Sequence, residues 1–244
     1  MRLEKIRLVL FDIDDTLYDF QANWNDSVRL TFASHALTKA LEQEAVQEAF
    51  HHFSVLNWQK LARGEATFGQ YRFLRLKDTL DRFGVPLADE HAEDFNRQFI
   101  QAGLSLLRED AAVTSLLRRL SEKYTMGVIT NGAGDTVREK LARLGLGECF
   151  PERALFVSSE IGAAKPERVI FDHALAALGF AADETVFVGD SWEADITGAW
   201  NAGLHAVWLN PKRLPLPKPF PNLYAVIEKL TELETLLLPD AGIT

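Results

Sequence analysis

The sequence has few of the features that mark secreted, membrane-embedded or nucleic-acid-binding proteins. Its single cysteine, Cys149, excludes an internal disulfide and fits a reducing compartment. No apolar run approaches the roughly 18–20 residues that span a bilayer, and the chain enters a strand-like stretch too early for a signal peptide. The net charge is −9, with no basic stretch that could follow a phosphate backbone. We therefore expect a cytoplasmic protein without membrane or nucleic-acid partners. A small anionic substrate is still possible, because positively charged side chains near a site can bind it despite the negative net charge.

What the chain does contain is a concentration of negative charge after an apolar stretch. In Leu8–Leu17, four apolar residues run into the carboxylates Asp12, Asp14 and Asp15, followed by the hydroxyl of Thr16. Such a run predicts a strand buried on both faces, and ligands of parallel α/β sheets lie beyond the carboxyl ends of such strands. Carboxylates this close favour a hard cation, most simply Mg²⁺, or a shared proton. The alternative is an Asp-rich turn, since aspartate is a common turn residue.

The rest of the chain falls into two patterns. From about 21 to 104, apolar residues recur at helical spacing, which predicts about four helices and no strand. From Ala111 onward, strand and helix patterns alternate. The sequence therefore predicts an α/β fold, a doubly wound parallel sheet with an inserted all-helical cap domain. We assign residues 1–18 and 107–244 to the core domain and 19–106 to the cap.

Three further polar features follow predicted strands. They are Thr130-Asn131-Gly132, Lys165-Pro166, where proline is expected to open a helix, and Gly189-Asp190 with Asp195 in a following helix. Each feature also has a purely structural explanation. The first is typical of a strand-to-helix turn, the second of a solvated surface lysine, and the third of a helix-capping aspartate with a second aspartate on the surface. Together with the first cluster they supply a nucleophile, an acid/base, a cation and donors for phosphoryl oxygens.

With these residues the sequence resembles the haloacid dehalogenase (HAD) superfamily of phosphohydrolases, from Ile6 to about Pro211 and least across the cap. The four motifs of that family correspond to Asp12-Ile13-Asp14-Asp15-Thr16, to Thr130, to Lys165, and to Gly189-Asp190 with Asp195.

The resemblance implies a role for each motif residue. Asp12 is the expected nucleophile that becomes an aspartyl phosphate, and Asp14 the general acid and base. Asp15 is not a motif position, and we expect it to be a structural residue. Phosphate binding is expected from Thr130, Asn131 and Lys165. Mg²⁺ is expected at Asp12, the backbone carbonyl of Asp14 and Asp190, with Asp195 either a ligand or a support behind the ligands.

The resemblance also narrows the reaction. Dehalogenases of the family lack an acid/base aspartate where Asp14 stands, so phosphate ester hydrolysis is favoured over cleavage of a carbon–halogen bond. Three stretches are similar to bacterial nucleoside 5′-monophosphate phosphatases: Ile129–Gly132, Asn201–Gly203 and Trp208–Pro211. Phosphatases acting on flavin mononucleotide, phosphoglycolate or a sugar phosphate, and a sugar-phosphate mutase, stay open as alternatives.

Substrate choice is expected to lie in the helical, C1-type cap. Trp24, Trp58, Arg63 and Tyr71 carry groups that could stack on a base or bind a polar edge, although aromatic residues at helical spacing also suit a core. Two non-enzymatic hypotheses are a regulatory module phosphorylated on aspartate and an interaction protein on a phosphatase fold. The sequence leaves monomer and dimer equally open.

Overall fold

The computed structural model describes residues 5–217 and 223–238 of the 244-residue chain. The chain divides into two compact units. The first, called here the core unit, consists of Met1–Phe20 and Arg108–Thr244, and the second, the helical unit, is Gln21–Leu107. The expected use of the helical unit as a cap stays a prediction.

A parallel sheet organises the core unit. Its strands are β1 (Leu8–Phe11), β2 (Thr125–Thr130), β3 (Leu155–Val157), β4 (Thr185–Gly189), β5 (His205–Leu209) and β6 (Leu223–Ile227). They lie in the order β3-β2-β1-β4-β5-β6, and each neighbouring pair is parallel. This is the doubly wound α/β arrangement, in which ligands bind beyond the carboxyl ends of the strands where the order reverses. The predicted fold class is confirmed.

The strand β1 lies at the centre of the sheet because all four of its residues are apolar and can be buried on both faces. Its side chains are fully buried. Phe11 pairs with Val128 of β2 on one side and with Val188 of β4 on the other. The three strands therefore end at one edge of the sheet, where Asp12, Thr130 and Asp190 follow or close them.

Helices lie between the strands of the core unit, and one follows the last strand. They are α5 (Ala111–Lys123), α6 (Gly134–Arg143), α7 (Ser158–Ile161), α8 (Arg168–Leu178), α9 (Gly198–Asn201) and α10 (Leu233–Leu237); the helical unit contains α1 to α4, given below. Gly179 ends α8 with a positive φ of 76°, as expected of a glycine at that position. Leu8, Leu10, Phe171 and Phe187 belong to the buried cluster on one side of the sheet.

The helix expected to carry Asp195 after β4 is present, as a π-helical segment, Trp192–Thr197, followed by the short α9. One expected helix boundary in the core unit is wrong. Pro166 does not open α8, which begins at Arg168 after the N-cap Glu167. The Glu167 amide instead donates to the Ala164 carbonyl, which makes a turn of the segment that contains Lys165.

The helical unit contains four helices and no strand among its described residues, as the apolar spacing predicts. They are α1 (Phe20–Ser34), whose first residue belongs to the core unit, α2 (Gln43–Ala62), α3 (Phe68–Arg82) and α4 (Asp89–Leu106). Thr67 and Gln70 form a reciprocal capping box at the start of α3. The core of the unit is aromatic, with Phe32, Phe50 and Phe95 fully buried. No helix in the described part of the chain is long and apolar enough to cross a membrane.

Candidate active site

The loop after β1 places the first carboxylate of the site. The Asp12 amide donates to the Val188 carbonyl at 2.9 Å, which continues the sheet pairing by one residue. The Ile13 carbonyl then accepts from the Leu17 amide at 2.8 Å, which turns the chain back, and Asp15 has a left-handed φ of 60° in that turn. The Asp12 side chain is buried with 8% of its residue surface exposed.

Lys165 joins two of the acidic motifs. Its Nζ lies 2.6 Å from Asp12 Oδ1 and 2.6 Å from Asp195 Oδ1, and the lysine is 5% exposed. Burial alone would lower the pKa of Lys165, but the two carboxylates outweigh burial and raise it, so the ammonium stays charged. The side chain is therefore a buried cation held between two buried aspartates.

Asn131 fixes the backbone that carries this lysine. Its Nδ2 donates to the Lys165 carbonyl and its Oδ1 accepts from the Lys165 amide, both at 2.8 Å. This pair of hydrogen bonds joins the end of β2 to the segment before α8. Asn131 was expected to bind phosphate, and the contacts described here give it a positioning function; phosphate binding by Asn131 stays a prediction.

The residues after β4 complete the acidic cluster. Ser191 is the N-cap of the π-helical segment, and its amide donates to Asp195 Oδ2 at 2.9 Å, which holds this buried side chain near the end of β4. Gly189 is required there, because a Cβ atom at its position would lie 2.4 Å from Asp195 Oδ2. One carboxylate oxygen from each of Asp12, Asp190 and Asp195 lies within 4.8 Å of the others.

This concentration of carboxylates raises proton affinities. Burial is the main cause that raises the pKa of Asp12, with additional repulsion from Asp195 and Asp14 that Lys165 partly offsets. Burial and repulsion from Asp195 likewise raise the pKa of Asp190 to about 6. The cluster thus contains three carboxyl groups, more than the one positive charge of Lys165 can balance when all three are ionised. Three carboxylate oxygens at this spacing suit a hard, oxygen-preferring cation, and the residues present therefore fit Mg²⁺.

The end of β2 offers hydroxyl and amide groups. Thr130 is 1% exposed, and its Oγ1 accepts from the Gly132 amide at 2.9 Å. A Cβ atom at Gly132 would lie 3.0 Å from Asp14 Oδ2 and 3.1 Å from Thr130 Oγ1. The acid/base candidate and the phosphate-binding candidate therefore flank the same glycine.

Asp14 has two partners that the sequence did not indicate. Its Oδ1 accepts a hydrogen bond from the Tyr18 hydroxyl at 2.7 Å and lies 2.7 Å from Lys140 Nζ. Burial and the Asp14 charge raise the pKa of Tyr18, so this phenol stays a hydrogen-bond donor. Tyr18 follows Asp14 by four residues, whereas Lys140 lies on α6 and only the fold brings it here.

The structure thus brings Asp12, Asp14, Thr130, Lys165, Asp190 and Asp195 together at the carboxyl edge of the sheet. The catalytic, metal-binding and phosphate-binding roles assigned to them stay predictions.

The four substrate-contact candidates lie in the helical unit. Trp24 stacks on Phe50 with 5.7 Å between ring centroids, and Tyr71 is 8% exposed, so both contribute to packing there. Trp58 keeps 39% of its surface exposed. Arg63 pairs with Glu65 at 2.6 Å on the surface. Their contact with a substrate stays a prediction.

Comparison with known sequences identifies the family. The haloacid dehalogenase-like hydrolase model matches residues 6–203. YfnB, a HAD-hydrolase of Bacillus subtilis (strain 168), is 30% identical over 237 residues, 96% of this chain and 97% of that protein. The pyrimidine 5′-nucleotidase YjjG of Escherichia coli (strain K12) is 30% identical over 233 residues, 94% and 96% of the two chains. The glyceraldehyde 3-phosphate phosphatase of Methanothermobacter thermautotrophicus (strain Delta H) is 31% identical over 219 residues, 84% and 86%.

Solved structures agree with this assignment. The crystal structure of YfnB bound to magnesium superposes with a TM-score of 0.80 at 26% identity, covering 96% of this chain and 99% of that one. A 2-haloacid dehalogenase from Pseudomonas syringae pv. Tomato DC3000 superposes with a TM-score of 0.70 at 26% identity, covering 97% and 100%. The family match, the near full-length relatives and the shared fold together show that this chain belongs to the haloacid dehalogenase-like hydrolase family of enzymes.

Proposed function

We propose that the protein is a Mg²⁺-dependent phosphatase that hydrolyses a small phosphate monoester through an aspartyl phosphate on Asp12. The contact that carries the proposal is the 2.6 Å approach of the buried Lys165 ammonium to Asp12 Oδ1. A carboxylate is a poor nucleophile toward a phosphate dianion because both are negative. A buried cation beside the carboxylate reduces that repulsion and stabilises charge on the phosphoryl oxygens in the transition state.

The other residues have complementary roles in this proposal. An ammonium has three N–H donors, and the contacts with Asp12 and Asp195 use two, so Lys165 can offer one to a phosphoryl oxygen. The Thr130 hydroxyl is a further donor, since its Oγ1 accepts from the Gly132 amide and its own proton is available. Asp14 protonates the leaving oxygen and then removes a proton from the attacking water, because the same group can act as acid in one step and base in the next.

Mg²⁺ is proposed to be held by Asp12, Asp190 and the backbone carbonyl of Asp14, with Asp195 as a fourth ligand or a support. Three clustered carboxylate oxygens and the raised pKa of Asp190 support this assignment. So does the relative YfnB, whose crystal structure is described as bound to magnesium. When bound, the ion supplies positive charge that orients the substrate and offsets charge in the transition state.

Asp14 favours phosphate esters over haloacids as substrates. Structural similarity alone does not separate the two, since a 2-haloacid dehalogenase shares the fold. The resemblance implies that dehalogenases lack an aspartate at this position. An alkoxide leaving group needs a proton, whereas a halide does not. The Asp14 carboxyl group beside Gly132, in its protonated form, is the group that can supply it.

Among phosphate esters we propose nucleoside 5′-monophosphates as the substrate class. The motif similarity noted above and the pyrimidine 5′-nucleotidase YjjG support this choice. We propose further that the helical unit acts as a cap that selects the leaving group through Trp24, Trp58, Arg63 or Tyr71. A second candidate is glyceraldehyde 3-phosphate, because several relatives are phosphatases of that triose phosphate.

The test is phosphate release by the purified full chain with Mg²⁺ or with a chelator. The panel contains pyrimidine and purine nucleoside monophosphates, glyceraldehyde 3-phosphate, phosphoglycolate, flavin mononucleotide, sugar phosphates and a 2-haloacid. Asp12→Asn is expected to abolish turnover. Asp172→Asn, the same change on an exposed residue of α8, is expected to leave it unchanged.

Three outcomes would overturn the proposal. They are halide release in place of phosphate release, equal activity of wild type and Asp12→Asn, and a long-lived phosphorylated protein without turnover. A preference for the triose phosphate would retain the phosphatase and reject only the nucleotide as its substrate.

A further inference from the structure

The two oxygens of the Asp14 carboxylate have different surroundings. Oδ1 receives both described donors, the Tyr18 hydroxyl and the Lys140 ammonium, each at 2.7 Å. Oδ2 lies on the other side, next to Gly132, where an added Cβ would come within 3.0 Å of it. The same Cβ would come within 3.1 Å of Thr130 Oγ1, so Oδ2 is the oxygen near the expected phosphate-binding hydroxyl.

The two donors are themselves held in place. Lys140 Nζ lies 5.6 Å from the centroid of the Tyr18 ring and 5.5 Å from that of Phe20, and these two rings are in edge contact at 6.4 Å. Asp14 and Tyr18 are also joined by a backbone bridge. The Lys140 side chain is 15% exposed and that of Asp14 24%, so the ion pair is partly shielded from water. Contacts of a cation with aromatic faces limit its rotamers and strengthen as it is desolvated.

We propose that Lys140 and Tyr18 are positioning residues that anchor Asp14 by Oδ1, so that Oδ2 is the oxygen that transfers protons. This inference rests on the proposed phosphatase function and assigns two residues that the family motifs do not include. In a carboxylic acid the carbonyl oxygen accepts hydrogen bonds while the hydroxyl oxygen carries the proton. Because two donors are directed at Oδ1, a proton on this carboxyl group is carried by Oδ2.

The same atom, Asp14 Oδ2, then donates a proton in the first half-reaction and accepts one in the second. In the first, an Asp12 oxygen bonds to phosphorus, the bond from phosphorus to the leaving oxygen breaks, and the proton on Asp14 Oδ2 passes to that oxygen. In the second, a water oxygen bonds to phosphorus, the bond between phosphorus and Asp12 breaks, and Oδ2 takes the proton from the water. Asp12 and Asp14 return to their starting states.

The experiment compares kcat/KM for two esters whose leaving groups differ in their need for a proton. An alkyl phosphate, the best substrate of the panel, needs protonation of its leaving oxygen, whereas p-nitrophenyl phosphate does not. We expect Lys140→Met to lower kcat/KM about tenfold or more for the alkyl ester, since small misplacements of a catalytic group have effects of that size. For p-nitrophenyl phosphate we expect a loss of less than about threefold, because its phenolate leaves unassisted.

Three variants separate positioning from folding. Lys140→Arg retains the charge and is expected to recover most of the alkyl-ester activity, and Tyr18→Phe is expected to show the same leaving-group dependence with a smaller loss. The matched control is Lys123→Met, because Lys123 Nζ also lies against a tyrosine ring, 5.3 Å from that of Tyr124, and donates to the Leu237 carbonyl. We expect this control to leave both esters unaffected.

The possible results are distinguishable. Unchanged activity of Lys140→Met, or an equal loss of activity for both esters, overturns this inference. In either case, phosphate release by the wild type still supports the proposed phosphatase function. A wild type that releases phosphate from neither ester overturns the proposed function, and this inference with it.

Discussion

Replacing Lys165 by methionine tests whether the buried cation is what allows two buried carboxylates to coexist. Methionine keeps an unbranched side chain of similar length but removes the charge that lies 2.6 Å from both Asp12 and Asp195. Their side chains are 11% and 1% exposed, so water cannot substitute for the lysine. Removing one partner of a buried ion pair typically costs about 3–5 kcal/mol. For a chain of this size each kcal/mol corresponds to about 2–4 °C, so we expect Tm in chelator to fall by about 6–20 °C.

The assay is thermal unfolding at pH 8, with chelator and with excess Mg²⁺. We expect Mg²⁺ to recover part of the loss, because a cation at the carboxylates replaces some of the missing charge. The matched control is Lys5→Met, since Lys5 pairs with Asp183 at 3.6 Å while both side chains are largely exposed. A surface pair of this kind contributes about 0–1 kcal/mol. Equal Tm values for the two variants in chelator would refute the reasoning.

Three further changes test the packing and charge of the site. Gly132→Ala is expected to lower kcat about tenfold or more with little change in Tm, because the new methyl would lie 3.0 Å from Asp14 Oδ2 and displace it. Gly189→Ala is expected to reduce both Tm and Mg²⁺ affinity, since its methyl would overlap Asp195 at 2.4 Å; calorimetric Mg²⁺ titration at wild-type affinity would contradict this. Finally, burial raises the pKa of Asp190 from 3.8 to about 6, so the folded chain binds a proton there that the unfolded chain has lost. The contribution of this group to metal-free stability therefore falls as pH rises from about 4 to 6. We expect this loss of stability to be absent in Asp190→Asn and smaller in the presence of Mg²⁺. Measurements of Tm as a function of pH test both expectations.

The strand-end residues could be predicted because short stretches of sequence specify both their structure and their position. Four apolar residues followed by Asp12 predict a buried strand that ends in a carboxylate, and the sheet order then brings Asp190 to the same edge. Each of these predictions needs only local pattern and the rule that parallel strands share an orientation.

The Asp14 contact with Lys140 could not be predicted in the same way. The two residues are 126 positions apart, and nothing in the helical pattern of α6 distinguishes this lysine from a solvated one. The start of α8 was misplaced because Pro166 is favourable at a helix start, while the backbone of Lys165 is instead held by Asn131. In both cases, the Asp14–Lys140 contact and the start of α8, hydrogen bonds between residues far apart in the sequence determine the structure, and the local sequence pattern does not show them.

The most direct test of the central claim is a search for phosphate covalently bound to Asp12 during turnover. The full chain with Mg²⁺ and the best labelled ester of the panel is quenched with acid within a single turnover, and the labelled peptide is sequenced by mass spectrometry. We expect label on Asp12 that appears before free phosphate and then decays, with none in Asp12→Asn. Phosphate release without protein-bound label at any time, or label on another residue, would contradict the account.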